Sequence, residues 1–156
     1  MRFLAEAVWY PTLLLPGPHI KWTEVNQHSV RALFRDGDVE ISLLFNFSEM
    51  NLIDTTYSEA RGRTVGGKIV QTPWEGHFWN CKDCAGKKVP VDADVGWVLR
   101  EGKKPYWRGY IDHISYEWSG DGPIQAQISH CSCSGWGRDV VGWNGFSPLG
   151  NANSAV

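Results

Sequence analysis

The chain has 156 residues, 42% of them hydrophobic and 21% charged, which is enough apolar material for one core and too little for two well-buried domains. Its 15 basic and 17 acidic side chains leave a net charge of −2, so it lacks the overall basic footprint of a protein that grips nucleic acid or an anionic membrane through bulk charge. No run reaches the roughly 18–20 apolar residues of a membrane-spanning helix; the compositional anomaly is nine tryptophans, rings that serve cores, pocket walls and interfaces alike.

Residues 2–14 place Phe3, Leu4, Ala7, Val8 and Leu14 along one side at helical spacing, with Arg2 and Glu6 off it. Pro11 stops this helix near Trp9, and Pro16, Gly17 and Pro18 break the chain. The helix lacks the Lys/Arg-rich polar face of a membrane-surface anchor, which favours a lid packed on a sheet. Glu6 also interrupts the apolar run that a secretory signal requires. The expectation is a soluble protein, cytoplasmic if the chain is complete; an N-terminal truncation would change the compartment.

From Ile20 the apolar period becomes two. Ile20, Trp22 and Glu24 share one face, as do Val30, Ala32 and Phe34. Asp36, Gly37 and Asp38 form a hairpin signal, because Gly after Asp supplies the positive φ that primed turns need. Val39, Ile41, Leu43, Phe45 and Phe47 then line one face of the next strand. In residues 52–61, Ile53, Thr55, Tyr57 and Glu59 alternate with Asp54, Thr56, Ser58 and Ala60, and Gly62, Gly66 and Gly67 mark a reversal. Lys68 to Asn80 reads as one strand bent at Pro73, which cannot donate to a ladder. Cys81 to Lys87 reads as a loop. Val89 to Leu99 and Pro105 to Trp118 read as two further strands, and the short connections imply an antiparallel meander. Beyond Trp118, Ile124, Ala126 and Ile128 suggest one more strand, with a glycine-rich, loosely ordered tail after it.

Three constellations carry chemistry. The run Thr72–Asn80 puts Trp74, Gly76, Phe78 and Asn80 on one strand face and Glu75, His77 and Trp79 on the other. Glu75 beside His77 is a candidate general-base dyad, since a carboxylate can hold an imidazole tautomer; equally, it is a solvated polar face or a carboxylate met by Arg61 or Arg63. In the last long strand Tyr106, Arg108, Tyr110, Asp112, Ile114 and Tyr116 alternate with Trp107, Gly109, Ile111, His113 and Ser115. Tyrosines interleaved with Arg and Asp describe a pocket wall or an amphipathic outer face. Finally, Cys81 and Cys84 with Cys131 and Cys133 make two close thiol pairs, compatible with tetrahedral zinc, with disulfides or with free thiols. No phosphate-cradling glycine loop, dinucleotide fingerprint, nucleophile elbow or paired-histidine zinc helix occurs.

Glu6 to Pro11, the segment Glu59–Gly67 with Arg61, Gly62 and Arg63, the run Thr72–Asn80, and Pro105–Gly109 resemble the C-terminal half of a bacterial family of unknown function. That family is similar in strand pattern to the lipoprotein-carrier (LolA-like) half-barrel proteins, in which a curved antiparallel sheet holds an apolar cavity beneath a helix. The resemblance spans about residues 1–118, and neither the cysteines nor the tail belongs to it. It implies a mainly β (α+β) fold, a curved antiparallel meander or half-barrel with one N-terminal helix on its concave face, over 1–118, followed by the tail 119–156. It also implies a noncatalytic domain binding an apolar or amphipathic small molecule through Trp74, Phe78, Trp97, Trp107 and Tyr110, with Arg108 or Arg61 meeting a polar head. The alternatives are a hydrolase or isomerase using Glu75 and His77 in the same cup, and a zinc-stapled interaction module. Family members carry a comparable stretch before the helix, so a homodimer is expected to supply the other half of the cup. No nucleic acid partner is expected.

Overall fold

The computed structural model describes residues 2–84, 86–117 and 125–134. A short N-terminal helical segment is followed by eight strands: β1 Ile20–Asn26, β2 Ser29–Asp36, β3 Val39–Phe47, β4 Ile53–Val65, β5 Lys68–Cys84, β6 Lys87–Leu99, β7 Gly102–Glu117 and β8 Gln125–Ser134. They form one open, curved antiparallel sheet in sequence order, the meander that short connections impose.

Period-two patterning decides which face is buried. Val30 pairs with Phe45, Ala32 with Leu43 and Phe34 with Ile41, so the apolar positions of β2 and β3 share one face. Phe45 lies opposite Thr56 of β4, and Trp74 and Phe78 of β5 lie opposite Trp97 and Ala93 of β6. This concave face holds the core, in which Leu4, Ala32, Leu43 and Phe45 are fully buried.

The N-terminal segment is tighter and more broken than a single helix. One α-helical turn, α1 (Arg2–Glu6), runs into a 3₁₀ turn at Ala7–Trp9, and a second 3₁₀ turn at Pro11–Leu14 has Pro11 in its first position, where the missing N–H costs nothing. Winding this tightly turns more than one side inward: Leu4, Ala5, Ala7, Val8 and Trp9 are all buried, and so is Glu6, which helical spacing alone places off the apolar side. Three hydrogen bonds fasten the segment to the sheet. The Trp9 indole donates to the Pro90 carbonyl at 2.9 Å, the Trp22 indole donates to the Leu14 carbonyl at 2.9 Å, and the Tyr116 hydroxyl donates to the Trp9 carbonyl at 2.9 Å. Burial raises the Tyr116 phenol, with Cys84 and Tyr10 adding to the effect, to about 12. Tyr116 is therefore a neutral donor at all ordinary pH values.

The segment expected to be a loop, Cys81–Lys87, is instead the end of β5 and the start of β6, with Cys81 opposite Pro90 and Cys84 opposite Lys87. Its polar composition hid backbone pairing that does not depend on side chains. β8 supplies the strand anticipated around Ala126 and pairs with β7; the tail from residue 135 lies outside the described residues.

Candidate functional site: an arginine–aromatic cluster on the concave face

Two irregularities in the ladder create the site. Between Ser58 opposite Trp74 and Arg61 opposite Thr72, the register of β4 shifts, leaving Glu59 and Ala60 against Pro73. Proline has no N–H to give the ladder, which makes this a natural position for a bulge. The extra residue inverts the alternation, so Arg61 and Arg63 join the concave face of Trp74 rather than the opposite face of Thr55 and Tyr57. A second shift, between Val95 opposite Trp107 and Gly96 opposite Pro105, does the same at Tyr106. Tyr106 and Trp107 consequently both turn inward.

The result is a stacked set of rings and guanidinium groups. Trp74 is 2% exposed and donates its indole N–H to the Tyr106 hydroxyl at 3.0 Å. Tyr106 stacks on Trp97 with centroids 5.6 Å apart and an interplanar angle of 28°. The Arg61 guanidinium sits 4.6 Å from the Trp74 ring centroid and 6.0 Å from that of Trp97, while Arg63 sits 5.8 Å from Trp97. Ring faces are electronegative and hold the cations in place. Neither arginine has a carboxylate partner among the described residues. The arrangement presents two oriented, partly buried positive charges with planar donor forks beside an aromatic wall, a match for an acidic head on an apolar body.

The other anticipated ligand residues are distributed differently. Phe78 lies in the core beneath Trp9, whose ring meets it edge-on at 5.7 Å. Trp107 is 8% exposed and is packed over Gly109. Arg108 and Tyr110 are on the convex face, opposite Asp94 and Asp92, and so do not meet Trp107 or Arg61. Arg63 and Tyr106 belong to the cluster although strict alternation did not select them; prolines at 73 and 105, each beside a register shift, are the signals that point to them.

Glu75 and His77 also face the convex side, away from Arg61. Glu75 is engaged by Lys103 at 3.2 Å, and His77 lies 3.9 Å from Asp54 and stacks on Trp79 at 4.8 Å. The carboxylate nearest the imidazole is therefore that of Asp54, supplied by the neighbouring strand. At the centre of this face Asp94, 6% exposed, accepts from Lys103 at 2.6 Å and from Arg108 at 3.2 Å, and the Arg108 guanidinium lies 5.5 Å from the Trp79 ring. Burial alone would raise the Asp94 carboxyl; the hydrogen bond and charge of Lys103, with Arg108, outweigh it and hold the group below its ordinary 3.8. A carboxyl lowered on folding stabilises the protein above its unfolded value and loses that contribution as pH falls through the folded one. Asp94→Asn is accordingly expected to cost about 1–3 kcal/mol at neutral pH and to flatten the fall in melting temperature below about pH 4, measured by thermal unfolding across pH.

Cys81 and Cys84 are free thiols on β5, and burial pushes the Cys81 thiol up against the opposing influence of Lys88. Cys131 and Cys133 are on β8, opposite Ile111 and Gly109 of β7. With β6 and β7 between them, the two pairs stand three strand spacings apart, about 14 Å along the sheet, so the topology does not bring them together. No group of three or more potential metal ligands occurs among the described residues, and no described helix is long and apolar enough to cross a membrane.

No curated protein and no solved structure gives a match to the chain. Sequence similarity does place residues 1–116, which include the N-terminal segment, the arginine–aromatic cluster and nearly all of β7, within one family model. The chain belongs to the family of unknown function DUF6920.

Proposed function

We infer that the protein binds an amphipathic anion at the arginine–aromatic end of the concave face. Arg61 and Arg63 receive the acidic head, and Trp97 and Tyr106 line the apolar body, with Trp74 packed behind them. The observation that carries this reading is the pair of guanidinium groups held over indole faces with no carboxylate partner among the described residues. A partly buried cation left without a counter-ion is costly unless a ligand supplies one. The placement of Glu75 and His77 on the opposite face supports binding over catalysis in this cup, because no imidazole or carboxylate of that pair adjoins the cluster.

Tryptophan fluorescence tests the reading, with dodecyl phosphate below its micelle-forming concentration as the probe and dodecanol as the uncharged control. The expected result is a saturable change with dodecyl phosphate. Arg61→Ala and Arg63→Ala should each weaken it about tenfold or more, as expected for loss of a charge-assisted hydrogen bond. An unsaturable response, or arginine variants that bind as well as the wild type, would count decisively against it.

A further inference from the structure

The bulge that builds the cluster also frees a two-stranded arm. β3 pairs with β4 only as far as Tyr57, and β6 pairs with β5 only from Trp74 onward. The five pairs from Arg61 opposite Thr72 to Val65 opposite Lys68 therefore have no neighbouring strand on either side. Over four residue steps, the arm runs about 14 Å beyond the sheet, ending in a turn at Gly66 and Gly67, whose φ values are +56° and +76°.

Its composition is unlike the rest of the surface. Ile69 is 76% exposed, Val65 47% and Val70 46%, three large aliphatic side chains within six residues, whereas the other exposed large apolar residues among the described residues occur singly. Residues 60–74 contain three cations, Arg61, Arg63 and Lys68, and no carboxylate, in a chain whose net charge is −2. The aliphatic side chains lie on both faces: by alternation Val65 and Val70 share the face of Arg61, while Ile69 shares the other with Gly62, whose added Cβ would meet Ile69 Cγ2. A flat protein partner would cover one face of such an arm. Insertion of the tip into an apolar layer covers both.

We propose that this arm docks on the surface of an anionic lipid membrane, with Val65, Ile69 and Val70 entering the acyl boundary and Lys68 at the tip meeting headgroups. Exposed aliphatic residues flanked by cations are the pattern that combines apolar insertion with electrostatic attraction. The ligand side of the proposal rests on the amphipathic-anion reading above: the docked arm leads from the leaflet to Arg61 and Trp74. The docking itself stands on the arm alone.

The test is co-sedimentation of the full chain with phosphatidylcholine vesicles, with and without about one-third phosphatidylglycerol, at about 0.1 M salt. The wild type should sediment with the anionic vesicles and not with the neutral ones, and Lys68→Gln should weaken this about fivefold. The double variant Val65→Glu/Ile69→Glu should lose at least tenfold in vesicle binding while keeping the wild-type fluorescence response to dodecyl phosphate. That retained response separates the two ideas, since failure of the ligand site would remove it and failure of docking would not. Docking is overturned by a wild type that ignores anionic vesicles, by a double variant that still binds them, or by a double variant that loses both responses. It is also overturned if light scattering shows a wild-type dimer that the double variant dissociates without any vesicle binding, which would make the arm a contact between copies.

Discussion

Trp74→Ala is expected to lower the unfolding free energy by about 3–5 kcal/mol, as for other large aromatic truncations in cores, and to abolish binding of dodecyl phosphate. Trp74 is among the largest fully buried side chains and sits where β4, β5 and β6 are paired side by side. Its removal opens a cavity, strips the Tyr106 hydroxyl of its indole donor, and takes away the ring over which Arg61 lies. Arg61 would then lose its orientation as well as its partner. Trp74→Phe separates these effects: it restores most of the volume and a ring face but not the N–H, so it should recover more than half of the lost stability. Urea denaturation of the two variants beside the wild type checks both values, provided the transitions are two-state.

Gly96→Ala should cost about 2–3 kcal/mol, the upper part of the range for inserting a methyl group where nothing can yield. A Cβ at this position would meet the Lys104 carbonyl oxygen at 2.7 Å and Pro105 Cα at 2.9 Å, both backbone atoms of the adjoining strand. Relief requires moving β7 at the register shift that turns Tyr106 and Trp107 inward. The loss should therefore be accompanied by weaker ligand binding. Gly62→Ala provides the contrast within the same sheet. Its methyl would meet only Cγ2 of the exposed Ile69, at 3.1 Å, which can rotate away, and the cost should stay within about 0.5 kcal/mol, as at most surface positions.

Much of the architecture is legible in the sequence because the paired register of β2 and β3 keeps strict alternation, and the turn residues Gly37 and Gly66 sit where positive φ is required. The buried and exposed sides of β5 follow the same logic, so Trp74 and Phe78 are separated from Glu75 and His77 as alternation predicts. The candidate site is less legible because it is built by departures from alternation. Counting by twos from Thr55 and Tyr57 puts Arg61 on the convex face, and counting from Arg108 puts Tyr106 there too. One extra residue in each strand reverses both assignments. Alternation itself sets Arg108 and Tyr110 on the face opposite Trp107, and the expected ligand set draws on both faces of β7. The N-terminal segment departs for a different reason: 3₁₀ winding does not keep a 3.6-residue stripe, and Glu6 and Trp9 turn inward together.

Ligand entry at Arg61 and Arg63 against the concave aromatics can be followed through each tryptophan indole N–H and each arginine Nε–H resonance during titration with dodecyl phosphate below its micelle-forming concentration. Saturable shifts are expected at Trp74, Trp97, Arg61 and Arg63, with Trp79 and Arg108 on the convex face unmoved. Saturable shifts centred on Trp79 and Arg108, or none that saturate at Arg61 and Arg63, would contradict it.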